Sequence, residues 1–533
     1  MDTINNPYNQ QQQMGQPMMP PPMPRQQGRQ TWRQRLLGGN NGRPMTKIQE
    51  RTIPNWIVGK SVVFYFVAML ACWTVYGYVP KLDLILASVI SVLLFFYGCS
   101  AIAKRLANSK EKVFLHYVYV VGFLIRFLWV LYCYFIFNYD HYGYIYGDDA
   151  DTGWYMDFAK GIVEWLTNDY KLSNMSTPIS FDELRIHYSS SIDDMGYPIW
   201  LALIYLVVGV ENDVFIPFII KCIVGAYCAV CIYRVAKRHF GEGTARLAAL
   251  FVAINPNMIY WCSTMFKEVE MVFLCCLCVD LVDRAFTSDK KLTLKSLLPG
   301  LLVGMYIFFF RAPLAIVIFM AMFAHIVMSS SRVMSYGKKI IAGVLVVLVL
   351  FVGMGDRLIS QTEGLVRRAQ SGAQQTSMEW RMERKGGNSF AKYAGATVFA
   401  PLIFTIPFPT FNQANEAQIL QQQLSGGSYI KNIFSFFVVF VIMALLISGE
   451  WRRHLFIIAY TCGYLASLVL SEFAQSGRFH MPVWPMLMLF AAFGIQLAKT
   501  DPRIKRWFPL VLVVEVVACL AWNWFKLRGR GMI

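Results

Sequence analysis

The sequence predicts an all-α, polytopic membrane protein with about 13 transmembrane helices and two large outer loops. Of its 533 residues, 56% are hydrophobic and only 15% are charged, whereas about a quarter of the residues in soluble domains are charged. The mean hydropathy is +0.44. The net charge of +17 comes from Lys and Arg residues in short blocks between long apolar runs, which is typical of cytoplasmic loops. This distribution argues against a nucleic-acid-binding protein.

Residues 1–55 form a tail of different composition. Residues 9–24 are almost entirely Gln, Met, Pro and Gly, and basic residues follow from Arg25 to Arg51, so we expect disorder. Since no apolar stretch precedes Trp56, no cleavable signal peptide is expected. A basic segment before the first span favours a cytoplasmic N-terminus.

Runs of about 20 apolar residues predict the membrane spans. These lie near 56–79, 83–103, 113–137, 213–235, 245–260, 264–283, 296–310, 312–330, 339–355, 431–448, 454–472, 480–498 and 508–525. Region 56–112 thus holds two extra helices, region 113–355 a seven-helix module, and region 431–533 the C-terminal helices.

Threading these spans from a cytoplasmic N-terminus places most basic loops inside and two long loops outside, at 138–212 and 356–430. The C-terminal Lys526, Arg528 and Arg530 then lie outside, against the positive-inside rule. The apolar segments 196–209 and 394–411 are short or rich in Pro, and we expect them to be juxtamembrane helices within the outer loops.

The densest polar cluster lies in the first outer loop. Asp148, Asp149 and Asp151 fall within four residues, just before an amphipathic helical pattern that begins at Trp154. Helix capping requires one carboxylate, and crowded carboxylates are unfavourable without a cation, a metal or a reacting proton nearby. We therefore favour a functional carboxylate over capping alone.

Other charged residues lie at the outer ends of the predicted spans. They are Lys267, Glu268, Arg311, Arg478 and His480. Each side chain taken singly is explained by snorkelling at the interface. On one leaflet and beside three Asp residues, however, they predict a polar site whose guanidinium and imidazolium groups suit a lipid-linked phosphate.

Four segments resemble the GT-C superfamily of membrane glycosyltransferases, in the branch that contains protein O-mannosyltransferases and the lipid A aminoarabinose transferase. They are Asp151-Thr-Gly-Trp-Tyr155, the segment starting Gly196-Tyr-Pro-Ile-Trp200, the segment Ala245 to Tyr260 that leads into Lys267-Glu268 and Phe310-Arg311-Ala-Pro313, and Ser476-Gly-Arg-Phe-His480. The order of the segments and their common side add to the likeness. One departure is Thr152, which stands where the family usually has a second acid, so Asp149 and Asp148 rival Asp151.

The resemblance implies transfer of a sugar from a polyprenyl-phosphate donor to a glycan, lipid or protein acceptor, with inversion, on the periplasmic or lumenal face. By this resemblance Asp151 is the general base, with Asp149 and Asp148 as rivals. The leaving phosphate is bound by Arg311, Arg478, His480 and Lys267, with Glu268 beside them. The protein is expected in a bacterial inner or plasma membrane.

A divalent metal is a further possibility raised by the Asp149-Ala-Asp151 spacing, which also suits Mg²⁺ or Mn²⁺. The branch that the chain resembles does not depend on a metal, so we expect no metal and no other cofactor.

Two other functions are compatible with parts of the sequence. A transporter or flippase for a lipid-linked glycan predicts inverted repeats and broken helices at the bilayer midplane, and the sequence has no such symmetry. A polysaccharide polymerase is the nearer rival, because the second outer loop contains Arg357, Arg367, Arg368, Arg381 and Arg384.

Overall fold

The computed structural model describes residues 45–137, 149–188, 190, 192–210, 214–288, 293–328, 405, 407–412, 425–470, 477–528 and 533. All regular secondary structure in these residues is helical, which confirms the predicted fold class. In chain order the helices are α1 Lys47–Arg51, α2 Asn55–Tyr76, α3 Leu82–Arg105, α4 Glu111–Tyr132, α5 Asp149–Thr167, α6 Phe181–His187, α7 Gly196–Val208, α8 Phe215–Phe240, α9 Glu242–Ala253, α10 Pro256–Tyr260, α11 Glu268–Thr287, α12 Leu294–Phe308, α13 Ala312–Met328, α14 Ser425–Ser448, α15 Leu455–Leu470, α16 Gly477–Thr500 and α17 Pro502–Arg528.

Seven helices in the described part of the chain are long and apolar enough to cross a membrane. They are Lys47–Tyr76, which joins α1 and α2, together with α3, α4, α8, α14, α16 and α17. The predicted number of 13 is not confirmed. Several predicted spans correspond to shorter helices, namely α12, α13 and α15 with 15, 17 and 16 residues. The predicted span 245–260 is divided between α9 and α10, because Asn255 caps a new helix that starts at Pro256.

The predicted juxtamembrane segment 196–209 corresponds to α7, a helix of 13 residues. At 1.5 Å per residue it is about 20 Å long, shorter than the hydrocarbon core. Its apolar side chains Leu203 and Val207 are 57% and 84% exposed. The predicted span 339–355 and most of 394–411 lie outside the described residues.

Helix α16 is the centre of the packing. All of its apolar stretch is buried, and it packs against α14 and α9. Helix α8 in turn packs against α4, α9 and α11. Because α16 runs from Arg478 to Lys499, at about 1.5 Å per residue it separates two polar regions by about 30 Å.

One polar region, which we call the basic end, consists of residues 47–51, 104–111, 237–246, 452–454 and 499–506. Direct contacts join most of its segments. Arg246 Nη2 donates to the Ser109 carbonyl at 2.7 Å, Lys499 Nζ donates to the Glu50 carbonyl at 3.0 Å, and His239 Nδ1 lies 2.7 Å from His454 Nδ1. All are segments for which the sequence predicts the cytoplasmic side.

The opposite region, which we call the Asp151 end, contains α5, α7 and the start of α16. The C-terminal part of α17 lies on this side of the packing. Lys526 Nζ donates to Thr410 Oγ1 at 2.9 Å, and Asn523 Nδ2 donates to the Pro409 carbonyl at 3.0 Å. Segment 407–412 in turn approaches the start of α16, where Pro407 lies 3.6 Å from a Cβ built on Gly477.

We expect that only one of the two ends is reached by an impermeant thiol reagent in intact cells. Single cysteines replacing the exposed Asn174 and Lys505 should label differently, with Asn174→Cys labelled first if the Asp151 end is outside. Arg528→Cys should behave like Asn174→Cys. The native cysteines are buried or half-buried and should give little background. Equal labelling of Asn174→Cys and Lys505→Cys would contradict this arrangement.

Candidate functional site

A buried carboxylate stands at the centre of the Asp151 end. Glu268 is 0% exposed, and its Oε1 accepts a hydrogen bond from Arg478 Nε at 2.5 Å. Arg478 Nη1 also donates to Asp151 Oδ2 at 2.9 Å, and Arg311 Nη2 lies 4.0 Å from the same Glu268 oxygen. Four of the sequence-predicted site residues, from α5, α11, the α12–α13 turn and α16, therefore lie together.

Each of the two guanidinium groups lies against the face of an aromatic ring. Arg478 lies 3.9 Å from the centroid of Phe266, and Arg311 lies 4.4 Å from that of Phe479. Arg311 Nη1 also donates to the Tyr464 hydroxyl at 3.2 Å. Since a guanidinium attracted to a ring face has few orientations left, the directions of the remaining N–H groups are restricted.

The backbone explains why Gly196 occurs in this region. Its N–H donates to the Phe309 carbonyl at 2.8 Å, which ties the start of α7 to the turn that presents Arg311. A Cβ atom at Gly196 would lie 2.6 Å from the Phe310 ring and 2.8 Å from the Phe309 backbone. Only glycine permits this approach.

Lys267 lies next to Glu268 but is held by another carboxylate, Asp194, with which it forms an ion pair. The Tyr155 hydroxyl donates to Asp194 at 3.4 Å, and the Lys267 ammonium lies 5.6 Å from the Tyr155 ring. Burial, with the negative charge of Glu268, raises the pKa of the Tyr155 phenol, which therefore stays protonated. The sequence reasoning missed Asp194, although the pair Asp193-Asp194 directly precedes the Gly196-Tyr-Pro segment.

His480 is fully buried, and its Nδ1 lies 2.9 Å from the Nζ of Lys431 in α14. The structure thus places this predicted site residue against α14, and the contact links α16 to α14. The sequence reasoning missed Lys431, a single charge in a long apolar run. Asp148 and the side chain of Asp149 lie outside the described residues.

A second buried ion pair, Lys221–Glu270, lies close to the Arg478–Glu268 pair. Lys221 Nζ donates to Glu270 Oε2 at 2.7 Å and to the Phe266 carbonyl at 2.5 Å, and both side chains are almost completely buried. Lys221 thus fixes the residue whose ring lies against Arg478. These contacts also link α8 to α11.

Comparison with protein families gives one match. Residues 195–354 match the dolichyl-phosphate-mannose-protein mannosyltransferase family. The match confirms the resemblance to GT-C glycosyltransferases and indicates a membrane glycosyltransferase that uses a lipid-linked sugar donor. It includes Lys267, Glu268 and Arg311, whereas Asp151 and Arg478 lie outside the matched residues. The chain gives no significant match to a curated protein or to a solved structure.

We expect the two carboxylates on Arg478 to differ in their effect on stability. Glu268→Ala leaves two guanidinium groups around an empty, buried position, and removing one partner of a buried pair destabilises by about 3–5 kcal/mol. The Asp151 side chain is 48% exposed, and exposed pairs contribute about 0–1 kcal/mol. Thermal unfolding of the purified variants in detergent should therefore show a large decrease in Tm for Glu268→Ala and a small one for Asp151→Ala. Equal decreases would contradict this account of the site.

Removing both charges of the Lys221–Glu270 pair should destabilise the protein less than removing the lysine charge alone. Lys221→Met leaves the buried Glu270 without its counterion, so we expect a strong decrease in Tm. The double variant Lys221→Met, Glu270→Leu removes both charges and should recover most of that loss, because apolar replacements of a buried ion pair are often neutral. If the double variant were as unstable as the sum of the single variants, the pair would not explain the effect.

Proposed function

We propose that the protein transfers a sugar from a polyprenyl-phosphate donor to an acceptor at the Asp151 end, with inversion at the sugar carbon and on the outer face of the membrane. The observation that supports this most directly is the position of Arg478, between the buried Glu268 and the half-exposed Asp151. The family match over residues 195–354 supports the lipid-linked donor.

The donor phosphate is already a competent leaving group, so the site has to supply positive charge rather than a general acid. Arg311 and Arg478 suit this task. Arg478 donates from Nε and Nη1 to carboxylates, and within the described part of the chain its Nη2 has no acceptor, so this nitrogen suits a phosphate oxygen. Glu268 carries the same charge as a phosphate, so its role is to orient the two guanidinium groups. Lys267 adds positive charge beside them.

Asp151 has the better geometry for the general base. Its carboxylate lies in the first turn of α5 and accepts a hydrogen bond from Arg478 Nη1 at 2.9 Å. A donor phosphate that binds Nη2 of Arg478 also reaches Nη1 of the same planar guanidinium, where it competes with Asp151. We propose that this competition releases the Asp151 carboxylate, which then accepts the proton of the acceptor as the acceptor attacks the sugar C1 and the bond to the phosphate breaks.

Asp151 is the described carboxylate of α5 that contacts Arg478. Asp148 and the side chain of Asp149 lie outside the described residues. We propose a metal-free transfer with Asp151 as the base, since the branch of glycosyltransferases that the chain resembles does not depend on a metal.

Asp151→Asn keeps the shape of the side chain but removes the base, so transfer should fall by about 10²–10⁴-fold while folding is retained. The measurement uses purified full-length protein in nanodiscs with lipid-linked sugars extracted from cells that lack the protein, and mass spectrometry quantifies the released polyprenyl phosphate. Asp149→Asn is the matched control and should keep most of the activity. Loss only in Asp149→Asn would move the base upstream, and full activity in both would contradict the proposed site.

A further inference from the structure

A cavity of about 430 Å³ lies at the basic end, far from the candidate site. Its size is within the range of about 300–1,000 Å³ that is typical of small-molecule sites. Its charged lining residues are Lys47, Arg51, Lys110, Glu111, Glu242 and Arg246. They come from α1, the α3–α4 turn and the starts of α4 and α9.

The contacts of α1 form one wall of the cavity. Thr46 and Gln49 form a capping box at the start of α1, and Lys499 Nζ donates to the carbonyls of Gln49 and Glu50 at its end. Glu50 Oε1 accepts from the Gly243 N–H at 3.3 Å, and a Cβ at Gly243 would lie 2.4 Å from the Glu50 side chain. The five-residue helix is therefore fixed at both ends and on one side.

The charged groups of the opposite wall also form hydrogen bonds within the protein. Arg246 donates to Glu242 Oε1, to the Leu106 carbonyl and to the Ser109 carbonyl, each at 2.7 Å. Glu111 accepts from Lys237 Nζ at 2.5 Å. Both carboxylates of the lining are thus engaged by basic residues of the protein, and Glu242 Oε1 also lies 3.9 Å from Arg51 Nη2.

Among the described residues, two ammonium groups of the lining have no carboxylate partner, and Arg51, which pairs with Glu242, has one N–H without an acceptor. Lys47 and Lys110 are exposed, and among the described residues no carboxylate forms an ion pair with either. Arg51 donates from Nη1 to the Ala107 carbonyl at 2.6 Å, but its Nε is buried and has no acceptor in the described part of the chain. Two ammonium groups and one unsatisfied guanidinium N–H on a rigid cavity are a suitable environment for an anionic oxygen ligand.

The level of the cavity relative to the bilayer suggests where the anion comes from. Trp56 is the second residue of α2, five residues after Arg51, and Trp507 near the start of α17 is 58% exposed. Tryptophan is enriched at the headgroup level of membranes. Basic pockets between transmembrane helices at this level bind anionic headgroups.

We propose that this cavity binds a phosphate group, supplied by the headgroup of an anionic phospholipid. The ligand would bridge Lys47 and Lys110 and accept the free N–H of Arg51, which connects α1 to the α3–α4 turn. This site is separate from the proposed sugar transfer, since about 30 Å of α16 lies between them.

Thermal unfolding of the purified full-length protein in non-ionic detergent tests the proposal, with dioctanoyl phosphatidylglycerol, dioctanoyl phosphatidylcholine and inorganic phosphate as probes. We expect phosphatidylglycerol to raise Tm in a saturable way and the zwitterionic phosphatidylcholine to have a much smaller effect. In Lys47→Gln, Lys110→Gln the apparent affinity should be about thirtyfold weaker, because each lysine near an anionic surface contributes a factor of about five. Both lysines are exposed, so Tm without ligand should not change.

The matched control is Arg503→Gln, Lys505→Gln, which removes two exposed charges at the basic end outside the cavity and should bind as the wild type does. If inorganic phosphate raises Tm and competes with the lipid, and the lysine variant loses both effects, the site takes the phosphate group from either source. If phosphate has no effect, the source is the lipid. Equal shifts in the wild type and the lysine variant, equal shifts with the two lipids, or no shift with any probe would overturn the proposal.

Discussion

The buried carboxylate of Glu268 is the constraint on which the Asp151 end depends. An ionised carboxylate without exposure to water is several kcal/mol too unfavourable to persist unless cations approach it closely. Two guanidinium groups do so, one from the α12–α13 turn and one from the start of α16. Satisfying one charge therefore brings three separate parts of the chain to one point. Its position at the N-terminus of α11 adds the favourable helix dipole.

Helix α16 connects the candidate site to the basic end. The helix that supplies Arg478 at one end is buried along its apolar stretch, and at the other end it supplies Lys499, which holds the C-terminal carbonyls of α1. A rigid, buried helix fixes both of its ends relative to the bundle. The site and the basic end are therefore built on one element.

The sequence predicted the parts of this arrangement that depend on composition and periodicity. Apolar runs predicted helices, and basic blocks predicted which loops lie at one end, because both signals are local. Arg311, Arg478 and Glu268 were found as charges at span ends. Which partner each charged side chain contacts depends on packing between segments that are distant in sequence. The Lys267–Asp194 and Lys431–His480 contacts therefore could not be predicted. The predicted span 245–260 was wrong because Asn255 and Pro256 end one helix and start another within this largely apolar run.

The exposure of the charged groups separates the framework of the site from the part that can exchange with substrate. The described part of the site contains three carboxylates and three cations. The exposed fraction of the side chain rises from 0% for Glu268 to 19% for Arg478, 36% for Asp194 and 48% for Asp151. A buried pair is held because breaking it leaves an uncompensated charge, whereas a half-exposed pair exchanges its partner at little cost in free energy. Arg478 has one bond of each kind. In the proposed transfer, its bond to Glu268 keeps the guanidinium in place while its bond to Asp151 is exchanged for one to the donor phosphate, so that phosphate binding frees the base in the same step.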